Sequence, residues 1–239
     1  MATADITVPK YVEKDTLRRI ISDVREIRKN PLTAHGIHYE HDETDMMHGK
    51  ALIIGPSETP YADGFYLFKI KFPTNYPHAP PTVDFCTSDG YTRFNPNLYR
   101  SGKVCLSILN TWRGEPWSGC QTLSSVLLAI CTVLNAEPLL NEPGVLKIHV
   151  DFDKYNAILQ YKNIEVAIFG VLQKVEEQQE AYEFAMFGPI MREHFLSVKE
   201  KIRQKVAAEA EKSKEPNSVT VIMYKMTVVL DYQGLVGKF

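Results

Sequence analysis

The amino-acid sequence predicts an α+β fold, in which helices flank an antiparallel meander of four strands and a C-terminal helical extension follows. Three observations predict it. Apolar residues recur at helical spacing near the start of the chain, apolar and polar residues alternate within residues 35–86, and a second helical stripe covers residues 123–134. With 44% hydrophobic and 23% charged residues, the composition is that of an ordinary globular protein.

The first helix is predicted between Asp15, as its N-cap, and the Asn30-Pro31 pair that stops it. Its apolar stripe contains Leu17, Ile20, Ile21, Val24 and Ile27. The opposite face is basic, and taken alone this pattern indicates a solvated surface. The basic face consists of Lys14, Arg18, Arg19, Arg25, Arg28 and Lys29.

The alternating region predicts the strands of the meander. Residues 49–54 form an apolar run that Gly55-Pro56 ends, and residues 64–72 alternate so that one face is apolar and the other mixed. A turn at residues 61–64 joins these two strands. Four prolines between residues 73 and 81 then prevent regular pairing before a last short strand at residues 82–85.

The second helix is predicted to begin after Thr122, its cap, and to bury a stripe that ends at Leu134. Cys131 lies beside this stripe and is expected to be a small core residue. Residues 155–172 and 189–212 are predicted helices that pack against the core rather than form a separate domain.

The sequence therefore predicts four parts. They are a flexible N-terminus (residues 1–14), a core (15–150), a helical extension (151–212) and an atypical tail (213–239). The tail is rich in β-forming residues, and an exposed strand of this kind favours aggregation.

Composition excludes several classes of protein. The formal net charge of −2 argues against a nucleic-acid binder, which carries a basic excess. The longest apolar run, residues 219–230, is too short to span a bilayer, so no membrane segment is expected. Without a visible signal peptide, the four cysteines are expected to be reduced thiols in a cytoplasmic and nuclear protein. No CxxC pair is present and the histidines match no common metal spacing, so neither a metal nor a cofactor is expected.

The most informative segment is residues 93–109, RFNPNLYRSGKVCLSIL. It contains an Asn-Pro-Asn turn, a loop that ends at Gly102, and then Cys105 followed by an apolar run. This arrangement predicts a thiol beside a side-chain amide, with no histidine close in sequence to act as its base. Such a thiol favours acyl exchange between thioesters over hydrolysis.

This segment resembles the catalytic core of the ubiquitin-conjugating (carrier) enzymes. RFNPNLYRSGKVCLSILNTW and the sequence LNEPG at residues 140–144 are most similar to the Z-type branch, and the resemblance extends over residues 15–144 with a weaker echo to residue 205. It implies the ubiquitin-conjugating fold. It also implies that Cys105 accepts ubiquitin or a ubiquitin-like modifier from an activating enzyme and transfers it to a lysine of a substrate protein.

The resemblance also implies roles for three asparagines. Asn97 occupies the position of the family's catalytic asparagine, which either donates a hydrogen bond to the oxyanion of aminolysis or braces the loop over Cys105. Asn141 occupies the position where relatives often carry an acidic residue or a serine. Because an amide cannot accept the lysine proton, Glu137 and Glu142 remain candidates for that task. Asn95 replaces the usual histidine before Pro96.

Partner-binding residues follow from the same resemblance. The family docks its activating enzyme partly on the basic first helix, which implicates Arg18 and Arg19. A RING or HECT ligase would contact two loops, which implicates His78 and Pro80 in one loop and Cys120 in the other.

Two other functions stay open at this point. One is a catalytically silent scaffold of the same fold, although silent variants typically lose the cysteine that this chain retains. The other is a Cys-His hydrolase, which requires a histidine such as His78 or His149 within hydrogen-bond reach of Cys105.

Overall fold

The computed structural model describes residues 12–213 and 215–239. Most of the predicted flexible N-terminus, residues 1–11, therefore lies outside the described residues. The first helix, α1 (Lys14–Lys29), ends before Asn30-Pro31 as predicted, but Asp15 is not its N-cap. Glu13 holds that position without a side-chain hydrogen bond, and Asp15 lies in the first turn, where its carboxylate pairs with Arg18 at 3.0 Å.

Four antiparallel strands form the predicted meander in the order β1-β2-β3-β4, and the predicted α+β fold is confirmed. Their bounds are Ile37–His41 (β1), His48–Ile54 (β2), Phe65–Lys71 (β3) and Thr82–Phe85 (β4). The first four residues of β3 are all buried, so this part of the strand is covered on both faces of the sheet. Such double burial requires a second layer beyond the helix α1.

Helix α2 (Leu123–Val133) carries the predicted cap. The Thr122 hydroxyl accepts from the Ser125 backbone N–H, and the Ser125 side chain accepts from the N–H of Thr122 in return, which forms a capping box. The apolar stripe of the helix is buried in the core. Cys131 is half-buried and packs against that core, and burial raises the pKa of its thiol.

The extension is more continuous than the sequence predicted. Helix α3 (Phe152–Lys162) passes through a π-helical turn region (Asn163–Gly170) into α4 (Val171–Gln178), and α5 (Gly188–Lys212) follows. The buried apolar side chains of these helices belong to one cluster with those of α1, α2 and the sheet. Asn163 lies so close to the turn before β3 that a Cβ on Gly64 would approach its Oδ1 to 1.9 Å, which only glycine permits there.

The tail forms strands, as its β-forming residues predict, but these strands are not both left exposed. The tail folds into a hairpin, β5 (Asn217–Val221) and β6 (Met226–Leu230), followed by the short helix α6 (Tyr232–Val236). Alternate residues of β6 are buried, because that face packs on α3, while α6 packs on α5. The hairpin therefore contributes to the core. None of the helices within residues 12–213 and 215–239 combines the length and apolarity that crossing a bilayer needs.

Two hydrogen bonds to the carboxylate of Asp63 join α5 to the sheet. Asp63, in the turn before β3, accepts from His194 Nε2 at 3.2 Å and from Lys201 Nζ at 3.1 Å. The hydrogen bond from His194 holds the pKa of the Asp63 carboxyl below its usual value; burial opposes this effect and Lys201 adds to it. Asp63 also has a left-handed backbone, with φ of +64°.

We expect Asp63→Asn to destabilise the protein in a pH-dependent manner. Because the folded-state pKa is depressed, the carboxylate stabilises the fold above its unfolded-state pKa, and the benefit disappears as the pH falls through the folded-state value. Asparagine tolerates the left-handed backbone, so added strain is small. Urea unfolding should show a loss on the order of 1–2 kcal/mol at pH 6 that becomes smaller as the pH falls below the unfolded-state pKa.

The matched control is Asp84→Asn, since Asp84 is exposed and takes part in no salt bridge within the described part of the chain. It should change stability little at either pH. An equal loss for Asp63→Asn at both pH values would contradict the charged contact.

Candidate functional site

The structure brings Asn97 and Cys105 together through two hydrogen bonds. The Cys105 backbone N–H donates to the carbonyl oxygen of Asn97 at 2.8 Å, and Asn97 Nδ2 donates to the carbonyl oxygen of Cys105 at 2.7 Å. Both residues are nearly buried, with 4% of Asn97 and 2% of Cys105 exposed. The backbone of the cysteine is therefore fixed on both of its polar groups by one asparagine.

Asn95 fixes the other end of this turn and is fully buried. Its Oδ1 accepts from the Asn97 backbone N–H at 2.9 Å, while its Nδ2 donates to the Tyr61 hydroxyl at 2.8 Å and to the Val133 carbonyl at 2.7 Å. These bonds tie the Asn-Pro-Asn turn to the C-terminal end of α2. The amide thus provides both donors and acceptors to the turn at the position where the family usually has histidine.

Asn141 belongs to the same network. Its Nδ2 donates to the Val133 carbonyl at 3.0 Å and to Asn95 Oδ1 at 3.3 Å, and its Oδ1 accepts from Asn135 Nδ2 at 2.9 Å. Every polar atom of this side chain is therefore engaged in holding neighbouring segments together. In its observed position Asn141 braces the site and offers no group to an incoming amine.

A cleft of about 550 Å³ borders the segment that carries Cys105. Thr111, which lines the cleft, shows where the cleft lies. Its Oγ1 accepts from the Leu106 N–H at 3.0 Å and donates to the Val104 carbonyl at 3.0 Å. This side of the cleft is therefore bonded to both sequence neighbours of Cys105. Glu142 also lines the cleft, while Glu137 forms a salt bridge with Lys147. The lining consists of Asn110, Thr111, Trp112, Arg113, Glu142 and Pro143.

The four thiols differ in environment. Burial raises the pKa of Cys86 to about 11 and also raises that of Cys131, so both remain protonated near neutral pH. Cys120 is exposed. Only Cys105 lies next to the cleft and the asparagine turn.

The proposed partner-binding residues occupy one side of the molecule. The two loops that carry His78 and Cys120 lie side by side, because Trp117 Nε1 donates to the Pro77 carbonyl at 2.7 Å. His78 and Cys120 are exposed and Pro80 is half-buried.

The two arginines of the first helix differ. The Arg18 side chain is 78% exposed, whereas Arg19 donates to Asp23 at 2.9 Å and to the Gly119 carbonyl at 2.7 Å. Arg19 therefore joins α1 to the loop of Cys120 as an internal brace. Exposed basic residues remain around it on the same helix, namely Lys14, Arg18, Arg25, Arg28 and Lys29.

No histidine completes a hydrolase-type pair with Cys105. Within the described residues, neither His78 nor His149 hydrogen-bonds to the cysteine, and His149 Nδ1 instead accepts from the Asp151 N–H at 3.1 Å. The same residues contain no group of three or more histidine, cysteine, aspartate or glutamate side chains arranged to bind a metal ion.

Comparison with known proteins agrees with these features. A family model described as "Ubiquitin-conjugating enzyme" matches residues 19–165. Ubiquitin-conjugating enzyme E2 Z of Xenopus tropicalis is 44% identical over 158 residues, which cover 65% of this chain and 50% of that protein. The human E2 Z is 42% identical over 160 residues, covering 66% and 45%.

A third relative extends further along this chain. The probable ubiquitin-conjugating enzyme protein 17 of Caenorhabditis elegans is 35% identical over 209 residues, covering 82% of this chain and 28% of that protein. The chain thus spans half or less of the length of these relatives.

We expect Asn141→Asp to destabilise the fold. The substitution replaces the Nδ2 donor with a carboxylate oxygen that faces two acceptors, the Val133 carbonyl and Asn95 Oδ1. Loss of these bonds and the resulting repulsion should cost roughly 1–3 kcal/mol in urea unfolding at neutral pH. Asn75→Asp serves as control, since Asn75 is exposed and its side chain makes no hydrogen bond within residues 12–213 and 215–239. Wild-type stability in Asn141→Asp would show that the network does not support the site.

Proposed function

Since the chain belongs to the ubiquitin-conjugating enzyme family and resembles its Z-type members, we propose that Cys105 carries ubiquitin or a ubiquitin-like modifier as a thioester. An activating enzyme supplies the modifier, and a lysine of a substrate protein receives it. The single observation that carries this proposal is the thiol of Cys105 in a backbone fixed by Asn97, beside an open cleft and without a histidine base.

Charging exchanges one thioester for another. The Cys105 thiolate attacks the thioester carbon on the activating enzyme, a new C–S bond to Cys105 forms, and the thiolate of the activating enzyme leaves. The thiol proton passes to solvent, because the thiolate rather than the thiol is the attacking species. The exchange is nearly balanced in free energy and needs positioning more than a strong base, which fits the site.

Transfer forms an isopeptide bond. The lysine amine attacks the thioester carbon, negative charge develops on the carbonyl oxygen, the C–S bond breaks and Cys105 leaves as thiolate. In the resting protein the Asn97 amide donates to the Cys105 carbonyl, so its first task is to brace the loop. Stabilising the oxyanion is a second task, for which the amide has another N–H that makes no hydrogen bond in the described part of the chain.

The attacking lysine must also lose a proton, although its reference pKa is about 10.4. Glu142 is the carboxylate that lines the cleft, whereas Asn141 is engaged in the network and Glu137 is paired with Lys147. We therefore assign to Glu142 the task of attracting the lysine ammonium and accepting its proton during attack.

The candidate surfaces for partner proteins lie on the side of the molecule that carries α1 and the loops of His78 and Cys120. We propose that the activating enzyme contacts the exposed basic face of α1, with Arg18 rather than the internally bonded Arg19 in contact. A RING or HECT ligase would contact the adjoining loops at His78, Pro80 and Cys120. Neither the silent scaffold nor the hydrolase is favoured, because the cysteine–asparagine pair is present and no histidine among the described residues bonds to the cysteine.

A charging assay tests the proposal. With activating enzyme, ATP and ubiquitin, the wild-type chain should form an adduct on a non-reducing gel that thiol reductant removes. Cys105→Ser should form, at most, an ester that resists reductant, since an oxygen replaces the sulfur. Cys86→Ser, Cys120→Ser and Cys131→Ser should still charge, which makes them matched controls. A normal reductant-sensitive adduct on Cys105→Ala would contradict the assignment.

A further inference from the structure

The turn of the C-terminal hairpin, residues 222–225, reaches the candidate active site from a distant part of the chain. At its tip, the Met223 N–H donates to Asp151 Oδ2 at 2.9 Å, and the carbonyl of Tyr224 accepts from Arg100 Nη2 at 2.8 Å. The Tyr224 ring packs on the Tyr155 ring with centroids 5.4 Å apart. Asp151 and Tyr155 are fully buried, so the turn is anchored to the interior rather than resting on the surface.

The turn of the hairpin also packs over Arg93, which hydrogen-bonds to the Asn-Pro-Asn turn. Arg93 Nε donates to the Asn95 carbonyl at 3.0 Å, and its Nη2 donates to the Pro96 carbonyl at 2.7 Å. The guanidinium lies 3.4 Å from the centroid of the Tyr99 ring and 5.6 Å from that of Tyr224. Two aromatic rings therefore confine the cation that fixes the backbone just before Asn97.

Tyr224 also bonds directly to the cleft. Its hydroxyl donates to Glu142 Oε2 at 2.8 Å, and the two residues are 82 positions apart in the sequence. Burial, and after it the hydrogen bond to Glu142, raises the pKa of the Tyr224 phenol far above its usual value, so the hydroxyl remains a donor at physiological pH. Within the part of the chain that the structure describes, Glu142 Oε1 makes no hydrogen bond and is left to accept from another group.

We propose that Tyr224 is a positioning residue for lysine transfer. By holding Oε2 of Glu142, it fixes the carboxylate at the edge of the cleft with one oxygen available to the ammonium of an incoming lysine. This inference rests on the proposed function of Cys105 and adds to it that the C-terminal hairpin is part of the transfer machinery.

The transfer to lysine that Tyr224 assists needs no further reactant. Glu142 orients the lysine ammonium and accepts one of its protons, which leaves the neutral amine that attacks, and Glu142 then passes this proton to solvent. The amine nitrogen bonds to the thioester carbon, and the nitrogen then loses its second proton to solvent. The C–S bond breaks, and its electron pair leaves on the Cys105 sulfur. Charging involves no amine, so it does not depend on this carboxylate.

Discharge of the preformed thioester to two nucleophiles tests the proposal. Free lysine carries an ammonium at pH 7 and needs the carboxylate, whereas hydroxylamine is neutral and does not. Tyr224→Phe keeps the ring over Arg93 and Tyr155 and removes only the hydroxyl. We expect it to charge normally, to lower the second-order rate constant for lysine roughly tenfold, the value of one charged hydrogen bond, and to leave discharge to hydroxylamine unchanged.

Glu142→Gln provides the second half of a double-mutant cycle. It should lower discharge to lysine at least as much as Tyr224→Phe, and the double variant should be no slower than Glu142→Gln alone, because the hydroxyl acts through the carboxylate. Tyr232→Phe is the matched control. It removes a hydroxyl from the same extension, where the ring contacts Tyr161 at 5.3 Å and the hydroxyl makes no hydrogen bond among the described residues.

Each outcome of the discharge assay either supports or overturns the positioning role of Tyr224. Selective loss with lysine, absent in Tyr232→Phe, supports the positioning role. Equal loss with both nucleophiles would mean that the hydroxyl only stiffens the loop, and unchanged discharge would mean that it has no part in transfer; either result overturns the inference while leaving Cys105 as the carrier. A wild-type chain that never charges overturns the proposed function and the inference together.

Discussion

The paired hydrogen bonds between Asn97 and Cys105 are the constraint on which the site depends. One asparagine satisfies the N–H of the cysteine with its backbone carbonyl and the carbonyl of the cysteine with its side-chain amide. Because both residues are almost fully buried, neither polar group has water as an alternative partner, and leaving one unpaired would cost roughly 1–3 kcal/mol. Cys105, the proposed nucleophile, is thus placed by backbone geometry. A fixed backbone of this kind suits thioester exchange, which depends on the position of the thiol more than on a strong base.

Polar contacts extend this order to three distant parts of the chain. Asn95 and Asn141 connect the turn to the end of α2, Arg93 connects it to the C-terminal hairpin, and the hairpin returns to the cleft at Glu142. The helices and the hairpin share one apolar cluster with the sheet. The extension therefore serves the candidate site in two ways. It covers the second face of β3, and it supplies groups that hold the asparagine turn and the carboxylate of Glu142.

Local patterns predicted much of the fold. The helical stripe after Thr122, the stop at Asn30-Pro31 and the last strand at Thr82–Phe85 depend on neighbours in sequence, and all three were predicted. The tail was not, although β6 alternates buried and exposed residues as a half-buried strand does. Its turn carries no glycine or asparagine, and Lys225 adopts φ of +48° there without a residue type that signals it.

The candidate site, like the fold, was predicted where its residues are close in sequence and not where they are distant. The proximity of Asn97 to Cys105 was predicted from one short segment, in which the two residues are eight positions apart. The contacts of Asn141 with Asn95, of Arg93 with Tyr224 and of Tyr224 with Glu142 join positions that no local pattern relates. Amide hydrogen exchange of Cys105, in the wild type and in Asn97→Ala, tests the central constraint most directly. The account predicts that the Cys105 N–H exchanges as slowly as that of Phe68 in β3. In Asn97→Ala the backbone acceptor of this N–H remains, but the Cys105 carbonyl loses its donor and the segment loosens, so the N–H should exchange faster while Phe68 is unchanged. Exchange as fast as that of the exposed Gly114 in the wild type, or no change in the variant, would contradict it.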